Sequence, residues 1–386
     1  MTVQQSLPRK IDCIVGVRPN FVKIAPIMRA LRRHANLSAR LIHTGQHFDV
    51  AMNAMFFDEL GIPEPDINLE VGGGTGTEQT ARIMLGLEPV LAASRPDLLL
   101  VVGDVNSTMA AALVAAKLQI PLAHVEAGLR SGDRAMPEEI NRLVTDRLAD
   151  LLLTTERAAL ANLLREGIKP EQVTFVGNVM IDTLHASLAR AVPVPTTLAE
   201  LGAAPALIAA AHSTGFAFVT LHRPSNVDDP AVLGLLLAAL VQISHQIPLV
   251  FPMHPRTQAI IAATPALAAQ LAASQIIVGP PVSYLRAIGL MRDAKFAITD
   301  SGGVQEETTA LGVPCLTVRE NTERPITITE GTNILIGTDP ATLILAAQRI
   351  LNGDSKSGQI PEFWDGRAAE RVVQAIELFL NSRKIS

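Results

Sequence analysis

Short apolar runs alternate with segments of helical periodicity along the first half of the chain. The apolar runs end at turns, and amphipathic stretches such as 21–34 and 107–118 follow them. Near-continuous apolar strands separated by helices are typical of a parallel sheet that is covered on both faces. The pattern therefore predicts strands at 11–17, 39–44, 98–103, 121–125, 151–154 and 173–176.

The same pattern starts again in the second half, with short apolar strands predicted at 217–220, 249–253, 275–278, 296–299 and 315–318. An Ala- and Pro-rich stretch lies between the two series, so we place a linker at 182–198. A chain of 386 residues suits two domains. We expect an α/β protein with two Rossmann-like, doubly wound parallel-sheet domains around a central cleft. The predicted domains are 1–182 with the returning C-terminal helix, 366–386, and 199–365.

Composition narrows the class of protein. The chain is 48% hydrophobic and 18% charged, with a net charge of -5, so nucleic acid and anionic membranes are not expected as partners. The most apolar stretch, 231–243, is shorter than the ~20 residues that a membrane-spanning helix needs. Cys13 and Cys315 lie in apolar runs and are expected to be buried thiols. We expect a cytoplasmic protein.

Three carboxylates follow predicted strands or open a helix in the first half. Asp104 follows the strand 98–103, Glu126 follows 121–125, and Glu138 opens a helix just after Pro137. Carboxylates gathered at one sheet edge are suited to general acid–base chemistry. The same residues would also serve as helix caps or favourable first-turn charges, and spacing alone does not decide between these roles.

Cationic and glycine-rich segments are candidates for binding an anion. Arg18 and Lys23 lie at the first strand–helix turn, His222 and Arg223 follow a strand, and His254 follows the next strand. The segment 300–303 opens a helix with two glycines, where backbone N–H groups favour a phosphate, and Glu307 lies in its early turns. An ordinary strand–helix turn would look the same.

Several nucleotide and metal signatures are missing. The glycine run 72–76 lacks the Lys-Ser/Thr of a P-loop, and the first strand lacks the G-x-G-x-x-G dinucleotide fingerprint. No His/Cys cluster has zinc spacing. We therefore expect neither a metal nor a redox cofactor.

The chain resembles the non-hydrolysing UDP-N-acetylglucosamine 2-epimerases, which have the GT-B architecture of many glycosyltransferases. Matching blocks run in family order across nearly the whole sequence. They are Val17-Arg18-Pro19 with Lys23 and Pro26, Gly45-Gln46-His47, Val102-Gly103-Asp104, His124 to Arg130, Pro137 to Arg142, Gly177-Asn178 with Ile181-Asp182, His222-Arg223, His254-Pro255, Thr299 to Glu307, Thr322 to Pro325, and Gly331-Thr332.

The resemblance implies reversible epimerisation at C2 of UDP-N-acetylglucosamine, by elimination of UDP to a bound glycal and re-addition. It implies catalytic roles for Asp104, Glu126, Glu138 and His222. Phosphate contacts would come from Arg18, Lys23, Ser301 and Gly302, and a ribose contact from Glu307. The remaining matching positions expected to bind substrate are Gln46, His47, Arg142, Arg223, His254, Gly303 and Arg324. A homodimer that supplies precursors for surface polysaccharide is a further implication.

Departures from the family pattern leave alternatives open. Val17 and Asn20 in the first turn, Pro224-Ser225 after Arg223, and the short segment before Pro137 differ from many members. They leave the core acids intact, and they leave open both the sugar preference and the presence of a second, regulatory substrate site. A hydrolysing epimerase that releases UDP and N-acetylmannosamine is the first alternative. A GT-B glycosyltransferase and a non-catalytic nucleotide-sugar sensor are the others.

Overall fold

The structure is a computed structural model that describes residues 7–46 and 57–383. The chain divides into two compact units. Unit 1 takes in the described residues up to Ala186 and those from Glu362 onward, and unit 2 runs from Ser187 to Pro361. Each unit contains one parallel sheet with helices around it, which confirms the predicted fold class.

Unit 1 contains a seven-stranded sheet. The strands are β1 (Arg9–Val15), β2 (Leu37–His43), β3 (Ile67–Asn68), β4 (Leu98–Val102), β5 (Leu122–Val125), β6 (Leu151–Thr154) and β7 (Val173–Phe175). Their order in the sheet is β3-β2-β1-β4-β5-β6-β7, and all neighbouring strands are parallel. The strands β4 and β5 are buried along their whole length, as a sheet covered on both faces requires.

Helices connect these strands and cover the sheet. The C-terminal helix Ala368–Ser382 packs against the helix Arg18–Arg32, and Asp182 accepts hydrogen bonds from the N–H groups of Ala368 and Ala369 at 3.0 and 2.7 Å. The helices of unit 1 are Arg18–Arg32, Gly76–Ala93, Asn106–Lys117, Pro137–Leu148, Ala158–Arg165, Val179–Ser187 and Ala368–Ser382, with a 3₁₀ turn at Pro170–Gln172. The helix Val179–Ser187 ends at the boundary between the units.

Unit 2 contains a six-stranded parallel sheet. The strands are β8 (Ala217–Thr220), β9 (Leu249–Pro252), β10 (Ile276–Gly279), β11 (Phe296–Thr299), β12 (Cys315–Thr317) and β13 (Asn333–Leu335). Their order in the sheet is β10-β9-β8-β11-β12-β13. Apolar residues of Pro230–Ser244, including Leu233 and Leu240, pack into the core of this unit. The helices are Val194–Glu200, Pro205–Thr214, Pro224–Val227, Pro230–Ser244, Pro255–Ala263, Pro265–Ala272, Tyr284–Asp293, Gly302–Leu311, Pro325–Thr329 and Pro340–Leu351, with a 3₁₀ turn at Leu188–Arg190.

Two short edge strands and one long helix are not anticipated by the sequence pattern. β3 has two residues and β13 has three, too few to show an alternating or continuous apolar pattern. The helix Gly76–Ala93 begins inside the glycine run, where Thr75 and Glu78 form a reciprocal capping box. That Thr-x-x-Glu spacing is a readable helix-start signal, and the preceding glycines obscure it.

The two cysteines and the most apolar helices can also be compared with the predictions. Both Cys13 and Cys315 are buried free thiols, as predicted, and burial raises the pKa of each thiol well above its usual value. Among the described helices, none combines the length and the apolar character that crossing a bilayer requires.

Candidate active site

The carboxylates of unit 1 lie beside the place where its strand order reverses, between β1 and β4. Ligands of open parallel sheets bind at the carboxyl ends of the strands at such a point. The Asn20 side chain donates to the Val102 carbonyl at 2.9 Å and ties the turn after β1 to the end of β4. The Gly103 N–H donates to the Val125 carbonyl at 3.0 Å, so the loops after β4 and β5 are joined directly.

Glu126 and Lys23 form a buried ion pair at this point. The Nζ of Lys23 lies 2.7 Å from Oε1 of Glu126, and the two side chains are 5% and 2% exposed. Glu126 has a φ of +76°, in the left-handed region that costs a non-glycine residue on the order of 1–3 kcal/mol. Its N–H donates to the Leu153 carbonyl at 2.9 Å, which fixes that backbone.

Gly103 makes room for this ion pair. A Cβ at Gly103 would lie 2.8 Å from the Lys23 ammonium, and the φ of +69° is one that glycine adopts without strain. Both the backbone conformation and the nearby ammonium therefore favour glycine at this position.

Asp104 is held by a second buried cation. A guanidinium N–H of Arg142 donates to Oδ2 of Asp104, while the same guanidinium donates to Glu139 through Nε and Nη2 at 3.1 and 2.7 Å. Asn141 donates to the backbone carbonyl of Asp104 at 2.8 Å. The helix Pro137–Leu148 thus orients Asp104 through Arg142 and Asn141. Arg142, which the sequence predicts as a substrate contact, is buried between two carboxylates.

Glu139 is a structural carboxylate that the sequence analysis did not single out. It accepts from the N–H groups of Ser131 and Gly132 at 3.0 and 3.1 Å, besides Arg142. Burial alone would raise the pKa of Glu139, but these hydrogen bonds and Arg142 hold it below its usual value. Its neighbour Glu138, the predicted catalytic residue, is half-buried in the first turn of the same helix.

Three other residues of unit 1 that the sequence predicts to bind substrate differ in their surroundings. Arg18 is half-buried at the start of its helix. Gln46 is buried, and its side-chain oxygen accepts from the N–H and the hydroxyl of Ser107 at 3.1 and 2.7 Å. Gln46 therefore caps the helix Asn106–Lys117. His47 lies outside the described residues.

In unit 2, His222 and Asp300 lie at the corresponding reversal of strand order, between β8 and β11. Nδ1 of His222 is 2.9 Å from Oδ1 of Asp300. The carboxylate, fully buried, also accepts from the N–H groups of His222 and Arg223 and from the Asn226 amide, at 2.9–3.1 Å. Burial alone would raise the pKa of Asp300, yet His222 and the other donors hold it below its usual value.

This arrangement sets the orientation of the His222 ring. Because Asp300 accepts at Nδ1, the second nitrogen Nε2 is the one available to a ligand, and the side chain is 34% exposed. His254 follows β9, and its ring centroid lies 5.5 Å from that of His222. Nδ1 of His254 accepts from the Arg256 N–H at 3.2 Å and caps the helix Pro255–Ala263. The structure thus brings His222, Arg223 and His254 to one sheet edge.

The helix Gly302–Leu311 begins at the same edge. Ser301 is its N-cap residue, its side chain does not cap the helix, and Gly302 and Gly303 form the first turn. Backbone N–H groups at such a start favour an anion. Glu323 lies close by, since a Cβ at Gly302 would be 3.0 Å from its Oε1.

Glu323 lies close to several arginines near the start of this helix. Its carboxylate lies 2.8 Å from Nη1 of Arg319 and 3.4 Å from Nη2 of Arg223. Burial alone would raise the pKa of Glu323, but Arg324, Arg319 and Arg223 lower it to about 2. Glu323 is therefore an ionised carboxylate with several arginine neighbours near the start of this helix.

Further along the same helix, Glu306 and Glu307 have different surroundings. Glu306 pairs with Arg324 at 2.9 Å. Glu307 accepts from the Tyr284 hydroxyl at 2.8 Å, and burial raises its pKa to about 7. Glu307, predicted to hold a ribose, is therefore a buried carboxyl that changes charge near neutral pH.

Within residues 7–46 and 57–383, no three His, Cys, Asp or Glu side chains are grouped closely enough to hold a metal ion. The chemistry that these residues offer is proton transfer by carboxylates in unit 1 and anion binding in unit 2.

The doubly wound fold, with functional groups at both strand-order reversals, defines an α/β protein that binds its ligands at the carboxyl ends of its strands. The family model described as UDP-N-acetylglucosamine 2-epimerase matches residues 29–377. The chain belongs to this family of enzymes.

Similar proteins span nearly the whole chain. A UDP-N-acetylglucosamine 2-epimerase of Methanocaldococcus jannaschii is 39% identical, and the match covers 95% of this chain and 98% of that protein. A UDP-2,3-diacetamido-2,3-dideoxy-D-glucuronate 2-epimerase of Pseudomonas aeruginosa has the same identity and coverage. The crystal structure of the Methanocaldococcus jannaschii enzyme in complex with UDP-GlcNAc and UDP has a TM-score of 0.84 and 38% identity, covering 96% of this chain and 99% of that one.

Proposed function

We propose that this enzyme interconverts UDP-N-acetylglucosamine and UDP-N-acetylmannosamine, by elimination of UDP and its re-addition. The observation that carries the proposal is the pair of carboxylates after β4 and β5, each with its own buried cation, in a member of the 2-epimerase family. Two carboxylates with separate cationic partners are suited to removing a proton and returning one.

The chemistry explains why two acids are needed. The C2 proton of the sugar is not next to a carbonyl, so it is not acidic. A carboxylate removes it while the C1–O bond breaks and the electron pair leaves with the β-phosphate of UDP, which gives a C1–C2 double bond. In the reverse step a second acid delivers a proton to the opposite face of C2, and a UDP oxygen bonds to C1. We propose these roles for two residues among Asp104, Glu126 and Glu138.

We propose that unit 2 holds the departing diphosphate. Nε2 of His222, Arg223 and the N–H groups at the start of Gly302–Leu311 are the groups that suit a negative charge developing on a phosphate. Arg18 and Lys23 would add positive charge from unit 1, and Ser301 a hydroxyl. His254, Gly303, Glu307 and Arg324 are proposed to contact the rest of the nucleotide, and Gln46, His47 and Arg142 to support the sugar site.

A second substrate has independent support. The relative from Pseudomonas aeruginosa, which is named for a diacetamido-glucuronate substrate, is as similar to this chain as the N-acetylglucosamine enzyme of Methanocaldococcus jannaschii. Both substrates need the same C2 chemistry and differ in the groups at C3 and C6. We therefore propose UDP-2,3-diacetamido-2,3-dideoxy-D-glucuronate as the alternative substrate.

The test is proton exchange at C2. The purified enzyme is incubated in deuterated water with each UDP-sugar in turn, and the sugar is followed by proton NMR. Deuterium at C2 in both UDP-linked epimers supports the proposal, and the sugar with the higher kcat/KM is the preferred substrate. Free UDP with unlinked N-acetylmannosamine would identify a hydrolysing enzyme. Absence of exchange with both sugars, while UDP still binds, would overturn the epimerase proposal.

We further propose that the enzyme is a cytoplasmic homodimer, on the basis of its resemblance to the family. Light scattering coupled to size exclusion gives the mass directly. A mass of twice 41.1 kDa supports the dimer, and a single-chain mass contradicts it.

A further inference from the structure

A buried histidine lies beneath both loops that carry the proposed catalytic carboxylates. His124 is on β5, two residues before Glu126, and is 0% exposed. Its Nδ1 lies 2.6 Å from Oδ1 of Asp146, and its Nε2 lies 2.8 Å from the carbonyl oxygen of Gly103. Each ring nitrogen is therefore within hydrogen-bond distance of one oxygen.

The partners of the ring determine its protonation. A backbone carbonyl only accepts, so Nε2 carries a proton. Oδ2 of Asp146 already accepts from the Gly128 N–H at 3.0 Å and from Arg130 at 2.7 Å, which favours the ionised carboxylate. Burial alone would raise the pKa of Asp146, but His124 and Arg130 hold it below its usual value. A carboxylate at Nδ1 requires a proton on that nitrogen as well.

The network reaches both loops. The Gly103 carbonyl held by Nε2 belongs to the residue before Asp104, and the Gly128 N–H held by Asp146 lies two residues after Glu126. Arg130 continues the network to Glu166, with two hydrogen bonds of 2.7–2.8 Å. The other charged groups around these loops are the pairs Lys23–Glu126 and Arg142 with Asp104 and Glu139.

We propose that His124 is a positioning residue, held as an imidazolium by two acceptors, which fixes the loops of Asp104 and Glu126 relative to each other. One ring N–H is directed at the Gly103 carbonyl and the other at Asp146, and the charge of the ring balances that of the Asp146 carboxylate. The effect of His124 on turnover rests on the proposed function. The protonation of its ring and its contacts with the two loops do not.

The first test observes the protonation of the His124 ring nitrogens directly. The protein is labelled with ¹⁵N in its histidine rings, and long-range ¹H–¹⁵N spectra are recorded at about pH 7.5, where an ordinary histidine is mostly neutral. We expect two protonated-type nitrogens for His124, because each ring nitrogen faces an acceptor. An imine-type nitrogen at neutral pH would overturn the proposal, because it would show a neutral ring beside a protonated Asp146.

Two variants assign the signal. His124→Gln removes it, and His43→Gln removes the other histidine that is buried in the described part of the chain. If His124→Gln does not fold, a signal with two protonated-type nitrogens that survives in His43→Gln still answers the question. Asp146→Asn is expected to convert His124 to a neutral ring, and retention of both ring protons in that variant would contradict the proposal.

The second test measures the stability of the two loops by amide hydrogen exchange. In His124→Gln, amide hydrogen exchange at Gly103 and Gly128 is expected to accelerate at least tenfold, while exchange in β9 of unit 2 stays unchanged. Equal protection of both amides in the variant and the parent protein would overturn the positioning role. His245→Gln, an exposed histidine, is the matched control.

The third test connects the network to turnover. His124→Gln is expected to lower kcat for C2 exchange at least tenfold with little change in UDP affinity, because the acids are displaced and the diphosphate site is not. An unchanged kcat would overturn the positioning role. If the parent protein exchanges no C2 proton, the proposed function fails, and the ring and loop measurements still decide the protonation and the hold on the loops.

Discussion

The two units use opposite electrostatic designs at equivalent places in their sheets. At the strand-order reversal of unit 1, Glu126 is buried against the Lys23 ammonium, and the half-buried Asp104 faces the buried Arg142. At the reversal of unit 2, the buried residue is the carboxylate Asp300, and the group it supports, His222, is partly exposed. The first design holds acids whose protons can move, and the second presents donors to an anion. Under the proposed function, one unit would supply the proton transfer and the other would bind the leaving diphosphate.

The largest expected effect tests the acid side of this comparison. Glu126→Gln should slow C2 proton exchange on the order of 10²–10⁴-fold, because an amide cannot take or return the proton. UDP affinity should change much less than the exchange rate, since most of the proposed diphosphate contacts come from His222, Arg223 and the start of Gly302–Leu311. Proton NMR in deuterated water measures the exchange, and calorimetry measures UDP binding. Glu88→Gln, at an exposed helix position, is the control. Exchange at the parental rate in Glu126→Gln would remove Glu126 from the mechanism.

The next effect tests the anion side. Asp300→Asn should lower kcat on the order of 100-fold, because the amide no longer holds the His222 ring with Nε2 directed at the ligand. The control is Asp293→Asn, which changes a surface pair with Arg292. A loss of C2 exchange confined to KM, with kcat intact, would show that His222 binds the diphosphate without stabilising its departure.

A smaller effect concerns stability in acid. The folded-state pKa of Glu323 is lowered to about 2. The ionised carboxylate therefore adds to the free energy of unfolding above the usual carboxyl pKa, and this stabilisation is lost as pH falls from about 4 to about 2. Glu323→Gln should cost about 3 kcal/mol at neutral pH, and the difference should shrink toward zero in acid. Urea unfolding across this pH range measures it, with Glu330→Gln as the exposed control. A difference that is independent of pH would contradict the assignment.

The smallest effect has the opposite sign. The folded-state pKa of Glu307 is raised to about 7, so the stability associated with its protonated form is present below the usual carboxyl pKa and is lost as pH rises toward 7. Glu307→Gln should therefore be more stable than the parent protein at neutral pH, by on the order of 2 kcal/mol, and equal to it near pH 4. Unfolding curves at the two pH values check this. A destabilised variant at neutral pH would show that the Tyr284 hydrogen bond needs the carboxylate.

Much of the fold was predictable because buried parallel strands leave continuous apolar runs. β4, β8 and β11 are found where the pattern places them, apart from a residue at the end of β4. β3 and β13 could not be predicted, since they are strands only by virtue of pairing with β2 and β12. A short edge strand is specified by its partner more than by its own residues.

For the candidate site, the sequence indicates which loops carry the candidate residues, but it does not indicate which side chains these residues contact. Strand ends identify Asp104, Glu126 and His222 as candidates, and their neighbours decide what they do. Glu138 and Glu139 look alike at the start of a helix, and packing against the loop at 131–132 buries the second of them. Asp300 follows a strand as His222 does, and its role as the ring's acceptor depends on the pairing of β8 with β11.

The return of the C-terminal helix to unit 1 has a consequence for the order of events during synthesis. The ribosome makes residues up to Ala186, then all of unit 2, and only then the helix Ala368–Ser382 that packs on Arg18–Arg32. The unit translated first is therefore completed last, in contrast to the usual N-terminal-first order of domain folding. Unit 2 is continuous in sequence and can finish while the nascent unit 1 still lacks the helix that Asp182 caps.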